Sequence, residues 1–161
     1  MAQNVAVGDL APDFQLQNED GKTIQLSELK GSWVVLYFYP RDLTPGCTTE
    51  ALDFTAEKSK FDAANTTILG VSPDTVASHR KFCDKKSLQI SLLSDPEKDM
   101  IQSYGVWQQK KMAGREYMGV VRTTLLIDDQ GVIRHIWDKV RVKGHVDNVL
   151  SKLTEFQNAK P

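Results

Sequence analysis

Two cysteines, Cys47 and Cys83, are the whole thiol complement of this 161-residue chain. So few thiols exclude the disulfide framework of a small secreted scaffold, and they suit a reducing compartment in which a cysteine invites a redox or catalytic reading. An excess of one charge is also missing. The 20 Lys and Arg residues meet 21 Asp and Glu, so no global field draws the chain to nucleic acid or to an anionic membrane. The longest apolar run, Trp33–Tyr39, is about a third of a membrane span. Met1–Phe14 has no basic, apolar leader, which predicts a soluble, cytoplasmic protein. A Gly-rich phosphate loop and a dinucleotide fingerprint are absent. His79, His135 and His145 have no metal-ligand spacing with the cysteines and read as surface or strand residues. Neither a cofactor nor a metal is expected. Without repeats, low-complexity tracts or linkers, the length fits a single domain over residues 1–161.

What is present alternates between strand-like and helix-like segments. Phe14–Gln17 and Thr23–Leu26 flank Asn18-Glu19-Asp20-Gly21, a hairpin signal. Trp33–Tyr39 is a continuous β-branched and aromatic run, as in a strand buried on both faces. Thr48 to about Asn65 reads as a helix, with Ala51, Phe54 and Phe61 on one side and Glu50, Glu57, Lys58 and Lys60 left for solvent. Thr67–Val71 is the next strand. Pro73 and Asp74 then open a helix to about Ser87. Leu92–Leu93 is a short strand and Glu97–Tyr104 a short helix. Thr123–Ile127 and Val132–Trp137 form a hairpin, and Val146–Phe156 is an amphipathic helix. The early order predicts parallel strands with right-handed crossovers. The sum is an α/β, thioredoxin-like layout: a mixed central sheet with helices on both faces and an N-terminal β-hairpin.

The segment Pro40-Arg41-Asp42-Leu43-Thr44-Pro45-Gly46-Cys47-Thr48-Thr49-Glu50 carries the chemistry. It joins a buried strand to an amphipathic helix, where open α/β sheets bind ligands. Cys47 falls in the first helical turn, where unpaired N–H groups and the helix dipole favour an anion such as a thiolate. Pro40 and Pro45 stiffen the loop, Gly46 lets a small ligand come close to the backbone, and Thr44 offers a hydroxyl that both donates and accepts. From the residues alone this is an activated thiol in a small pocket, set against the plainer reading of a buried small hydrophobe.

Pro40-x-x-x-Thr44-x-x-Cys47 resembles the active-site signature of peroxiredoxins. The run Phe38–Glu50 is similar to the peroxiredoxin Q, or bacterioferritin comigratory protein, subfamily. The likeness continues through Gly8–Phe14, Tyr104-Gly105-Val106-Trp107, Lys110-Lys111-Met112 and Arg122-Thr123-Thr124. The resemblance implies that Cys47 is the peroxidatic cysteine, that Thr44 aligns the peroxide, that Pro40 shields the thiolate and that Arg122 supplies positive charge. Glu50 either braces Arg122 or favours the helix N-terminus. Trp107 is expected to wall the pocket, and Lys110, Lys111 and Arg115 read as a solvated basic loop. The implied substrates are hydrogen peroxide and organic hydroperoxides. The implied reductant is thioredoxin or a similar dithiol.

Many members carry a second cysteine five positions after the first, where this chain has Leu52. Cys83, in the Pro73–Ser87 helix, is the only internal candidate to resolve a Cys47 sulfenic acid, and some members of the subfamily use this helix. A disulfide needs the two Cα atoms within about 7 Å, so the turn after Cys47 and the end of the Cys83 helix are expected to unwind on oxidation. A monomer is expected, with both thiols in one chain. The rivals are a disulfide oxidoreductase, opposed by Glu50 standing where Cys-x-x-Cys needs its second thiol, a one-cysteine peroxidase resolved by an outside thiol, and a non-catalytic module.

Overall fold

All six side chains of β3 (Trp33–Phe38) are buried, and alternate ones serve two separate cores. Trp33, Val35 and Tyr37 join one cluster; Val34, Leu36 and Phe38 join the other. That is the period-two consequence of a strand covered on both faces. The computed structural model describes residues 5–159, so Met1–Asn4, part of the segment read for a leader, lie outside the described residues.

The remaining elements arrange themselves around β3. They are β1 (Gln15–Gln17), β2 (Thr23–Gln25), α1 (Pro45–Ala56), α2 (Lys58–Ala63), β4 (Thr66–Ser72), α3 (Val76–Lys86), β5 (Ser91–Ser94), α4 (Asp99–Ser103), β6 (Trp107–Met112), β7 (Arg115–Val120), β8 (Thr123–Ile127), β9 (Ile133–Trp137) and α5 (His145–Asn158). Seven strands form one mixed sheet in the order β2-β1-β5-β4-β3-β8-β9. β3, β4 and β5 run parallel; β8 pairs antiparallel with β3 and with β9. Phe54, Phe61, Phe82, Val149 and Leu153, from α1, α2, α3 and α5, cover one face. Met100 and Ile101 of α4, with Tyr104, Val106 and Val120, cover the other. The expected mixed sheet with helices on both faces is therefore present. So is the N-terminal hairpin, whose Asn18 Oδ1 accepts from the N–H groups of Asp20 and Lys22. Among the described residues no helix is long and apolar enough to cross a membrane.

Three expectations need correction. The helix read as Thr48–Asn65 begins at Pro45, in the favoured first position. It is two helices, broken at Glu57 (φ −103°, ψ 8°); no proline or glycine marks that break. The next helix starts at Val76 rather than Pro73, because Thr75 Oγ1 caps the Ser78 N–H while Asp74 is engaged elsewhere. Lys110, Lys111 and Arg115, read as a solvated loop, belong to the antiparallel hairpin β6–β7.

Gly70 in β4 shows how closely the core is fitted. A Cβ there would meet Tyr37 Cζ at 2.8 Å and Leu92 Cδ2 at 3.0 Å, and Tyr37 is itself stacked on Phe54 at 4.8 Å. Gly70→Ala is expected to lower stability by about 1–3 kcal/mol through overpacking. A shifted urea midpoint at unchanged m-value checks it.

Candidate active site

The register Phe38↔Thr123 sets Arg122 just beyond the carboxyl end of β3, the end from which the chain runs through Pro40 into α1. Thr44 is the N-cap of α1 with extended dihedrals, Pro45 follows, and Cys47 lies in the first turn. The N–H groups of a helix's first turn have no partners within the helix, so the sulfur sits at the positive end of the helix dipole.

Arg122 closes the site. Its Nη1 donates to Glu50 Oε1 at 2.7 Å and its Nη2 to Cys47 Sγ at 3.4 Å. Cys47 is 1 % exposed and Glu50 0 %, while the Arg122 side chain keeps 17 %. Burial opposes the guanidinium charge, but the facing Glu50 and Cys47 outweigh it and hold Arg122 above its ordinary pKa. Burial pushes the Glu50 carboxyl from 4.5 up to about 7, and attraction to Arg122 offsets only part of that rise. Glu50 Oε2 is buried with no hydrogen-bond partner among the described residues. A guanidinium held by a carboxylate and aimed at a sulfur stabilises a thiolate. It also stabilises charge developing on an oxygen displaced when the sulfur attacks a substrate.

Residues 7–136 match the AhpC/TSA family. The chain is a peroxiredoxin of that family. It is 45 % identical to the peroxiredoxin Bcp of Bacillus subtilis over 94 % of this chain and 97 % of that one. A crystallised peroxiredoxin Q of Xanthomonas campestris superposes with a TM-score of 0.86 at 40 % identity, covering 94 % and 96 % of the two chains. A structure of the bacterioferritin comigratory protein of the same organism, described in terms of alkyl peroxide reduction and a trapped intermediate, gives 0.87 at 37 % identity, covering 96 % and 99 %. This peroxiredoxin is accordingly a thiol peroxidase that reduces hydroperoxides with electrons from a thiol reductant.

The peroxiredoxin's expected site residues come together unevenly. Cys47, Arg122 and Glu50 are in direct contact. Glu50, also read as a solvent-side residue, is fully buried and braces Arg122. Pro40 is half-buried at the loop's start. The Thr44 hydroxyl donates to the Arg41 carbonyl at 2.9 Å, which leaves its oxygen free to accept. Gly46 makes room for Arg122: a Cβ there would meet its Nη2 at 3.2 Å. Cys83 is buried and, like Cys47, a free thiol. Burial and the Glu19 charge push it up to about 12.

Two of the three histidines are not surface or strand residues. His79 of α3 and His145 of α5 are buried, and burial, then Arg122, pulls His145 down to about 4. Lys111 and Arg115 are solvated as expected, but Lys110 is half-buried and donates to the Val120 carbonyl at 3.0 Å. Burial and then the charge of Arg122 depress its pKa. Trp107 packs at the edge of the second core under Lys98 Nζ, 5.3 Å from its ring centre. Sequence reasoning passed over Asp42, buried within the active-site loop; a carboxylate among turn residues gives no periodic signal.

Glu50 sets a pH test. Its folded pKa of about 7 lies above the ordinary 4.5, so between those values the native state holds a proton that the unfolded state has lost. Native stability then falls as pH rises through that window. The stability difference between wild type and Glu50→Gln is expected to shrink from pH 4.5 to about 7 and level off above it, measured by urea melts at each pH.

Proposed function

We propose that Cys47 is the peroxidatic thiolate, and the single observation carrying this is the Arg122–Cys47 contact at 3.4 Å with Glu50 behind it. The thiolate attacks the distal oxygen of hydrogen peroxide or an organic hydroperoxide. An S–O bond forms and the O–O bond breaks. The leaving oxygen takes up a proton and departs as water or an alcohol, and Cys47 becomes a sulfenic acid. Arg122 faces the charge that develops on that oxygen. Thr44 aligns the peroxide, Pro40 screens the thiolate from water, and Glu50 holds the guanidinium in plane. The alkyl peroxide reduction named for the Xanthomonas relative supports organic hydroperoxides as substrates alongside hydrogen peroxide.

Cys83 then resolves the intermediate. Its thiolate attacks the Cys47 sulfenic sulfur, a disulfide forms, and the displaced hydroxide leaves as water with the thiol's proton. Thioredoxin or a similar dithiol reduces the disulfide by exchange. In the closed state Cys83 is held at about 12 and stays a protonated, inert thiol. When its helix opens to water the pKa returns toward roughly 8.5, and the thiolate becomes available. Unwinding thus unites the sulfurs and activates the second one. With both thiols in one chain, the cycle needs no partner subunit. A monomer working as one domain in a reducing cytoplasm satisfies it.

Mass analysis after one equivalent of peroxide tests the scheme. The expected product has lost two hydrogens, mapped to a linked Cys47–Cys83 peptide pair. Cys83→Ser is expected to keep the first peroxide reaction and lose turnover with thioredoxin. Full turnover in that variant overturns the role of Cys83, and a Cys47 no more reactive than free cysteine overturns the whole scheme.

A further inference from the structure

Both ring nitrogens of His79 face acceptors. Nδ1 lies 2.7 Å from Asp42 Oδ2, and Nε2 lies 2.9 Å from the Leu93 carbonyl oxygen. A carbonyl cannot donate, and a carboxylate that already takes protons from two hydroxyls has none to give. With Asp42 ionised, both contacts are filled by protons on the ring, the arrangement of a buried ion pair. The other bonds to Asp42 are consistent with this. Tyr39 O–H donates to Oδ1 at 2.6 Å and Ser78 O–H to Oδ2 at 2.7 Å. The Asp42 N–H donates to Asp74 Oδ2 at 2.8 Å, which also accepts from Ser72 O–H at 2.7 Å. Asp42, Asp74 and His79 offer atoms within 4.8 Å of one another, but these contacts are proton-bridged pairs at hydrogen-bond length.

The position of this network matters more than its strength. Asp42 lies in the loop five residues before Cys47, and His79 lies one helical turn before Cys83 on the same buried stripe of α3. Between Asp42 and Cys47 the backbone passes through Leu43 at φ 65°, a left-handed conformation that costs a leucine energy and persists only where its surroundings impose it. The two segments that bear the thiols are therefore fastened to each other, away from the reacting atoms, by this ion pair and the Ser78–Asp42 hydrogen bond beside it.

We propose that Asp42 and His79 are positioning residues for the resolving step: their ion pair straps the Cys47 loop to the Cys83 helix and must break before the two sulfurs can join. This rests on Cys83 as resolver. Neither residue touches peroxide. The strap keeps the closed site assembled for the first step and delays the second, so it sets how a Cys47 sulfenic acid divides between disulfide and further oxidation to sulfinic acid by a second peroxide.

Stopped-flow tryptophan fluorescence, following peroxide reaction and disulfide formation separately, tests this in Asp42→Asn and His79→Gln. Disulfide formation is expected to accelerate by about tenfold or more, the factor one charge-assisted hydrogen bond is worth. The peroxide step slows, and the sulfinic fraction at high peroxide falls. A purely structural defect would not speed one step while slowing the other. Ser78→Ala, which removes one bond and leaves the ion pair, is expected to give a smaller acceleration if the stronger variants fold poorly. In the wild-type protein, nitrogen NMR is expected to show protons on both His79 nitrogens at neutral pH; a single ring proton overturns the strap. A wild-type disulfide that forms at the same rate in all three variants also overturns the strap and leaves Cys83 as resolver. Absence of any Cys47–Cys83 disulfide in wild type removes the resolver and the strap together.

Discussion

One guanidinium between a carboxylate and a sulfur organises this molecule. Arg122 reaches Glu50 at 2.7 Å and Cys47 at 3.4 Å, and the buried Glu50 carboxylate depends on it. An uncompensated charge in the interior is strongly destabilising, while a well-bonded pair nearly balances its own desolvation. Much of the local architecture serves that one group. β8 pairs with β3 in the register that brings Arg122 to the loop. Gly46 leaves a gap at the helix start for its Nη2. Glu50, one turn beyond Cys47, gives up solvent to hold it.

The two cysteines show how environment divides labour between identical side chains. Both are buried, yet their electrostatic surroundings are opposite. Cys47 has a cation and a helix N-terminus. Cys83 has burial and the negative charge of Glu19, which Arg80 opposes only in part, with Asp42 and Asp84 adding to the rise. The folded state thus sets one thiol beside a guanidinium and keeps the other protonated. The Asp42–His79 pair joins the loop before Cys47 to the helix that carries Cys83.

Much of this was legible in the residues. Unbroken apolar runs, turn-forming residues and the Pro-x-x-x-Thr-x-x-Cys spacing are local signals, and they marked the central sheet, two of the hairpins and the place of Cys47 at a helix start. Signals failed where a residue's role depends on what the fold brings to it. Glu50 carries the same charge as the exposed Glu residues of its helix, and only the arrival of Arg122, 72 positions on, makes it buried and functional. His79 is polar and looked exposed; the Leu93 carbonyl and Asp42 that retain it come from a strand and a loop outside its helix. The β6–β7 hairpin was missed because its strands carry charged and polar side chains on a largely solvated ribbon, without the apolar alternation that betrays a strand.

By itself the sequence determined most of the elements, the family and the place of Cys47 at a helix start, because helix starts, buried strands and short motifs are written in neighbouring residues. Tertiary structure alone decided which charges meet: that Arg122 is clamped by Glu50 over Cys47, that Cys83 is kept silent, and that Asp42 and His79 join the segments bearing the two thiols. Coulomb energies and desolvation depend on distance and burial, and residues 37 or 72 positions apart acquire both only when the chain has folded.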